Sequence, residues 1–250
     1  MNPWLIGTPA AAIAAAGTVA YAAFYPRSEL FGSHIHATAS AKKLALTFDD
    51  GPNPSITPGL LDLLESHKAR ATFFLIGRFV REEVDLTREI VVRGHSIGNH
   101  TDTHPNLVRA TPSRIREELE DCNGAIAEAI GAPPRWFRPP FGMRNPWVIP
   151  AALRLGMQAV MWTMLPGDWR APSPDWLIAR MQPIAERAAA KSGGAGRFPE
   201  GTTGDILCLH DGYHRHQNGD RRRTVAALAY WLPRWRDLGL EFVTIDEAKP

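Results

Sequence analysis

The chain has 250 residues, of which 44% are hydrophobic and 22% charged, with a formal net charge of +2. That supplies enough apolar material for one substantial core and lacks the cationic excess of a protein that tracks a phosphate backbone, so disorder and nucleic-acid binding are set aside. Two cysteines, Cys122 and Cys208, are too few for a disulfide framework and have no zinc-ribbon spacing.

The first thirty residues differ in kind from the rest. Residues 4–25 carry no charge and are long enough to cross a bilayer as a helix, so residues 1–30 read as a hydrophobic membrane segment. A secretory signal peptide ending near Ala20, Tyr21 and Ala22 is one alternative, weakened by the missing basic start; an alanine-rich helix lying on the domain is another. Arg27, Lys42 and Lys43 follow the segment and are too few to set its side of the membrane. Residues 31–41, with His34 and His36, read as a linker, and residues 42–250 as the folded domain.

From Lys42 onward short apolar runs alternate with longer amphipathic ones. KLALTF (residues 43–48) is a strand; Thr57 and Pro58 open a helix as cap and first position; ATFFLI (71–76) is the second strand, followed by a helix through Val92 that Gly94 stops. HSIGN (95–99) is a third strand, Thr111 and Pro112 start a long helix ending at Gly131, and RWFRPP (135–140) is a fourth strand. Asn145 and Pro146 cap a helix ending at Gly156, and residues 157–163 form a fifth strand. A helix over 175–190 and a glycine-rich loop lead to a sixth, DILCLH (205–210). A helix over 221–238 precedes a seventh, LEFVTI (240–245). Strands joined by helical crossovers pair in parallel, and polar clusters follow strands one, three, four, five and six. Those clusters converge more readily in a barrel than along an open sheet, so the expected fold is α/β, an incomplete or distorted TIM-like (β/α)7 barrel with an N-terminal hydrophobic helix.

His100 and His104 are spaced i, i+4, which puts two imidazoles on one side of a helical turn or compact loop, as two ligands of one ion require. Asp49 and Asp50 end an otherwise apolar strand, where two carboxylates are costly unless a cation compensates them. Successive residues point different ways, so one can ligate while the other cannot. Two imidazoles and one carboxylate make a divalent-metal site with positions open for water and substrate. A simple Asp-Asp-Gly-Pro surface turn accounts for the same stretch.

TFDDGP, HTDTH, RPPFG, DW and LHDG, in this order at the strand ends, resemble the polysaccharide deacetylase family with the NodB homology domain, carbohydrate esterase family 4. The resemblance spans roughly residues 42–245 and implies a distorted barrel and metal-dependent hydrolysis of N-acetyl groups on amino sugars. It implies Asp50, His100 and His104 as metal ligands, Asp49 as general base, Arg138 as the residue holding Asp49, and His210 as general acid oriented by Asp168. Trp169 and Leu209 would wall a pocket for the acetyl methyl, and the backbone N–H of Phe141 would meet the oxyanion. Ligand type favours zinc, with cobalt, nickel or manganese as alternatives. Two departures stand out: Phe141 where tyrosine is common, and Leu165 where the family usually has an aspartate three residues before Asp168. The expected partners are an amino-sugar glycan, chitin- or peptidoglycan-like, and the membrane. The arginines at 221–223 raise a second possibility, a deacetylase or deformylase of a polyprenyl-phosphate-linked amino sugar, and a third is an inactive carbohydrate-binding barrel. Cys208 reads as a buried structural thiol, Cys122 as helix surface, His95 as a structural residue, and His214 and His216 as solvated loop.

Overall fold

β1 (Lys43–Gly51) is buried from Leu44 to its end, as a strand covered on both faces must be. Its alternation sorts its side chains: Leu44, Leu46 and Phe48 join an outer core with the helices, while Ala45 joins an inner one with Phe74 and Trp162. The computed structural model describes residues 15–192 and 198–248. On one side of β1 follow β2 (Thr72–Leu75), β3 (Ser96–Asn99), β4 (Trp136–Phe137) and β5 (Gln158–Ala159), and on the other β6 (Asp205–His210), all parallel. β7 (Glu241–Val243) pairs with Lys43–Ala45 of β1. Because β6 already occupies one edge of Leu44 and Ala45, β7 takes the edge that passes to β2 at Thr47.

The sheet therefore curls into a half-barrel instead of a regular ring of seven. The expected fifth strand is interrupted: Val160 bridges Ile35, and the chain reaches β6 at Thr163 and Met164, where Thr163 N–H donates to Ile206 O at 3.0 Å and Cys208 N–H to Met164 O at 2.9 Å. The reason is a buried cation. Arg138 donates to the carbonyls of Val160 (3.1 Å) and Met161 (3.3 Å), which an uninterrupted ladder would have used.

The helices are α1 (residues 15–24), α2 (Thr57–Ser66), α3 (Gly77–Glu82), α4 (Val84–Val92), α5 (Pro112–Ile130), α6 (Val148–Arg154), α7 (Pro174–Ser192), α8 (Arg222–Asp237) and α9 (Ile245–Ala248). Thr111 caps α5, its side chain accepting from Arg114 N–H, and Gly131 ends it in the left-handed conformation. Thr57 does not cap α2; its hydroxyl accepts from Asn53 N–H at 2.9 Å and serves Asp211. The helix expected before Gly94 is two, broken at Glu83. α6 starts at Val148, after Asn145 has accepted from Trp147 N–H. The seventh strand stops at Val243 because the Glu247 side chain reaches back over the start of α9, its carboxylate accepting from Thr244 N–H at 3.1 Å and from the Thr244 hydroxyl at 3.2 Å. Cys122 is no surface residue: it is fully buried on α5, its thiol donating to Leu75 O.

Half of the uncharged run at 4–25, residues 4–14, lies outside the described residues. Among the described residues no helix is long and apolar enough to cross a membrane. Ala22 and Ala23, at the end of α1, are buried, and the segment expected as a linker is packed on the barrel through the Ile35–Val160 and Thr38–Gly204 bridges.

Candidate active site

Asp49 continues the register of β1, paired with His210, whereas the register slips between Asp49 and Gly51. Asp50 is thus the bulged residue, with φ +72°. The two acids share His100, whose Nε2 is 3.9 Å from Asp49 Oδ2 and 3.5 Å from Asp50 Oδ1, and otherwise meet different partners. Asp49 Oδ1 accepts from Arg138 Nη1 at 2.7 Å, and Asp49 Oδ2 from the Cys208 thiol at 3.3 Å. Arg138 is completely buried, donates to Thr47 Oγ1 at 2.8 Å, and lies 4.2 Å over the Phe74 ring.

Asp50 faces imidazoles instead. His100 leaves β3, and its Nδ1 donates to the Arg138 carbonyl at 2.7 Å, which presents Nε2 3.5 Å from Asp50 Oδ1. His104 sits in an irregular loop, not a helical turn, with φ +61° and its N–H on Thr101 Oγ1; its Nε2 is 3.1 Å from Asp50 Oδ1. His214 Nδ1 is 3.8 Å from Asp50 Oδ2, and its ring stacks on His104 at 4.5 Å. Asp50, His104 and His214 bring donor atoms within 4.8 Å of one another. Burial holds His104 down to about 4, against the pull of Asp50, so its ring is neutral at neutral pH. Burial would raise the Asp50 carboxyl, but its contacts with His100, His104 and His214 outweigh that and keep it well below the usual carboxylate range. Asp50 Oδ1 is buried without a hydrogen-bond partner, an ionised oxygen among imidazole nitrogens, and that donor set suits a divalent cation.

His210 ends β6 on the same inward face as Cys208. Its Nδ1 lies 2.8 Å from Asp168 Oδ1, while Asp168 Oδ2 accepts from the His210 N–H at 2.8 Å and from Thr224 Oγ1 at 3.0 Å. Burial alone would lower His210, but the charge and hydrogen bond of Asp168 outweigh it and raise the imidazole to about 9. The Trp169 ring stands edge-on to His210, 5.2 Å between centroids. Phe141, φ +59° in a 3-10 turn at Pro140–Gly142, sets its ring against His104 at 4.6 Å. Of the six non-glycine residues with positive φ among the described residues, Asp50, Thr101, His104 and Phe141 gather here, which is where backbone strain serves to aim side chains.

These groups open onto a cavity of about 340 Å³, lined by Asp49, Asp50, His100, His104, His210 and His214 with Phe141, Trp162, Leu165, Trp169, Tyr213 and Arg221. Leu209 corrects the expectation: with a side-chain period of two it points the other way from Cys208 and His210, fully buried in the outer core, and Cys208 lines the cavity in its place. His214 corrects the solvated-loop reading; its signal was its place four residues after His210, on the loop leaving the barrel mouth. Arg221 is drawn back onto Gly212 O at 2.8 Å, and Arg222 pairs with Asp220 at 2.9 Å, so much of that cluster's charge is met within the chain. His95 is structural as expected, its Nδ1 accepting from Ala71 N–H at 3.1 Å.

The chain matches the family model described as polysaccharide deacetylase over residues 36–160. It is 35% identical over 210 residues to a chitooligosaccharide deacetylase of Bradyrhizobium sp. (strain ANU 289), covering 81% of this chain and 89% of that one. It is also 35% identical over 206 residues to a peptidoglycan-N-acetylglucosamine deacetylase of Bacillus cereus, covering 82% and 87%. The solved Bc1960 peptidoglycan N-acetylglucosamine deacetylase aligns with a TM-score of 0.73 at 27% identity, over 86% of this chain and 91% of that one. BA3943 of Bacillus anthracis, described as a CE4 family pseudoenzyme, aligns with a TM-score of 0.71 at 28% identity, over 87% and 70%. A fold of this shape thus persists in a relative described as a pseudoenzyme, but the strand-end residues, the curled parallel sheet and the extent of these matches agree: the chain belongs to the polysaccharide deacetylase (CE4/NodB) family.

Proposed function

We propose that this protein is a divalent-metal-dependent hydrolase that removes N-acetyl groups from N-acetylglucosamine units of a chitin- or peptidoglycan-like glycan. The observation that carries this reading is the division of labour at the end of β1: Asp50 Oδ1 is buried without a partner among imidazoles, while Asp49 beside it is held by Arg138. Asp50 and His104, with His100 and His214 beside them, would hold the ion, for which their nitrogen and oxygen donors favour zinc. Such an ion supplies a more acidic water and polarises the acetyl carbonyl.

The chain's own groups do the rest. Asp49, its Oδ1 tied to Arg138, takes the proton of the attacking water on Oδ2, whose neighbours are the Cys208 thiol at 3.3 Å and His100 Nε2 at 3.9 Å. The Phe141 N–H meets the oxyanion as the carbonyl becomes tetrahedral. His210, Nδ1 anchored on Asp168, gives its Nε2 proton to the departing nitrogen, and its raised pKa keeps that proton available at neutral pH. Trp162, Leu165 and Trp169 offer an apolar wall to the acetyl methyl. Acetate and a free amine leave.

Purified protein loaded with zinc, cobalt, nickel or manganese should release acetate from N-acetylglucosamine oligomers or peptidoglycan fragments, and chelation should stop it. Asp49→Asn and His210→Ala should each lower kcat about 10²- to 10⁴-fold. No release from any such glycan with any of these ions would overturn the reading. The proposal includes membrane association through the uncharged run at residues 4–25, supported by exposed Val19, Tyr21, Phe24 and Tyr25 within it and Leu30 just after it. Recovery of the full chain in the soluble fraction after cell lysis would remove that part.

A further inference from the structure

Outside the catalytic cavity, the segment between α1 and β1 gathers a second set of donors. Glu29, His34 and His36 bring ligand atoms within 4.8 Å of one another. The local chain dictates this. Ile35 is held as an extended residue by its bridge to Val160, so His34 and His36, at i and i+2, fall on the face opposite Ile35, with ring centroids 5.6 Å apart. A turn closed by Gly32 N–H on Glu29 O at 3.0 Å folds Glu29 back toward them. That turn has no slack: Gly32 has φ +131°, and a Cβ there would meet Ile149 Cγ2 at 2.7 Å.

The imidazoles carry the mark of a ligand site. His34 is 5% exposed, and its Nε2 is buried without a hydrogen-bond partner; His36 Nδ1 is buried and unpartnered as well. Leaving two buried ring nitrogens unpaired is costly in a native fold. His34 Nδ1 faces Gly32 O at 3.4 Å, which favours the proton on Nδ1 and a lone pair on Nε2, the arrangement by which a backbone carbonyl orients a metal-binding imidazole. The nearby Arg144 guanidinium opposes a second cation, but its charge is spread onto the carbonyls of Gly142, Tyr25 and Ser28, and Glu29 supplies the compensating carboxylate.

We propose that Glu29, His34 and His36 form a second divalent-cation site, of zinc-like preference, that clamps the segment following α1 onto the barrel. Two imidazoles and a carboxylate suit zinc, with solvent completing the shell. The site is independent of the proposed chemistry and would exist in an inactive barrel too.

The test counts zinc in the full chain. Chelator-stripped protein dialysed against zinc should take up two equivalents by elemental analysis. His36→Gln should retain one and still release acetate; a chain carrying Asp50→Ala and His104→Ala should also retain one, and adding His36→Gln to it should remove that ion. Glu29→Gln, at an exposed position, provides a variant whose fold is not at issue, and should weaken the retained ion by about tenfold or more. Circular dichroism identifies any histidine variant that fails to fold, in which case the Glu29→Gln titration decides. The proposal is overturned if the Asp50→Ala/His104→Ala chain binds no zinc, or if folded His36→Gln keeps two equivalents. Acetate release lost with zinc still bound at the Glu29 site would overturn the hydrolase reading alone.

Discussion

Replacing Arg138 by methionine tests whether Asp49 is held as an ion by a buried partner. Arg138 is fully buried and gives Asp49 its shortest contact, 2.7 Å, while its other donors serve Thr47 Oγ1, Val160 O and Met161 O. Methionine fills much of the volume over Phe74 but removes the charge and every donor. Breaking a buried pair by taking one partner costs about 3–5 kcal/mol, because the remaining charge is left uncompensated. At about 2–4 °C per kcal/mol for a chain of this size, the melting temperature of the metal-free protein should fall by roughly 6–20 °C. Urea unfolding of metal-free wild type, Arg138→Met, Asp49→Asn and the double variant completes the cycle. The double variant should be less destabilised than the two single changes added together, by about 0.5–3 kcal/mol, because once Asp49 is neutral the loss of its partner strands no charge. Arg138→Met within about 1 kcal/mol of wild type, or strict additivity, would refute the argument.

Three further outcomes follow from the site. Gly212→Ala places a Cβ into the carbonyl of Asp50, and backbone cannot yield there as a flexible side chain would, so zinc affinity measured by chelator competition should drop about 10- to 100-fold with the fold retained. Asp168→Asn removes the charge that raises His210 to about 9. The protonated acid exists below that pKa and is lost as pH rises through it, so in pH–rate profiles at equal zinc loading the alkaline limb of Asp168→Asn should move to lower pH; an unmoved limb would assign that limb to another group. His104→Ala and His214→Ala should each weaken zinc binding, read by calorimetry, by at least about tenfold; wild-type affinity in His214→Ala would take His214 out of the donor set.

Much of the site was legible because strand ends announce themselves. Asp49 and Asp50 closing an apolar run, His210 closing another, and Arg138 among aromatic and proline residues are local chemical anomalies, and a parallel sheet carries every strand end to one face. Residues reaching the site from loops carried a weaker signal. His214 lies in a polar stretch, and only the return of that loop over the barrel mouth stacks it on His104. Leu209 was misjudged for the opposite reason: adjacency to His210 in sequence means opposition on a strand.

Composition, periodicity and punctuation by themselves determined the α/β class, the order of most elements, and the acids and imidazoles available at the strand ends, because each depends on neighbours a few residues away. Only the tertiary structure decided that Asp50 sits at a bulge, that Arg138 takes the carbonyls that would have continued the fifth strand, and that Ile35 and Thr38 bridge to the barrel. Those outcomes depend on where a buried charge finds its partners, and the partners of Arg138 lie as much as 91 residues away along the chain.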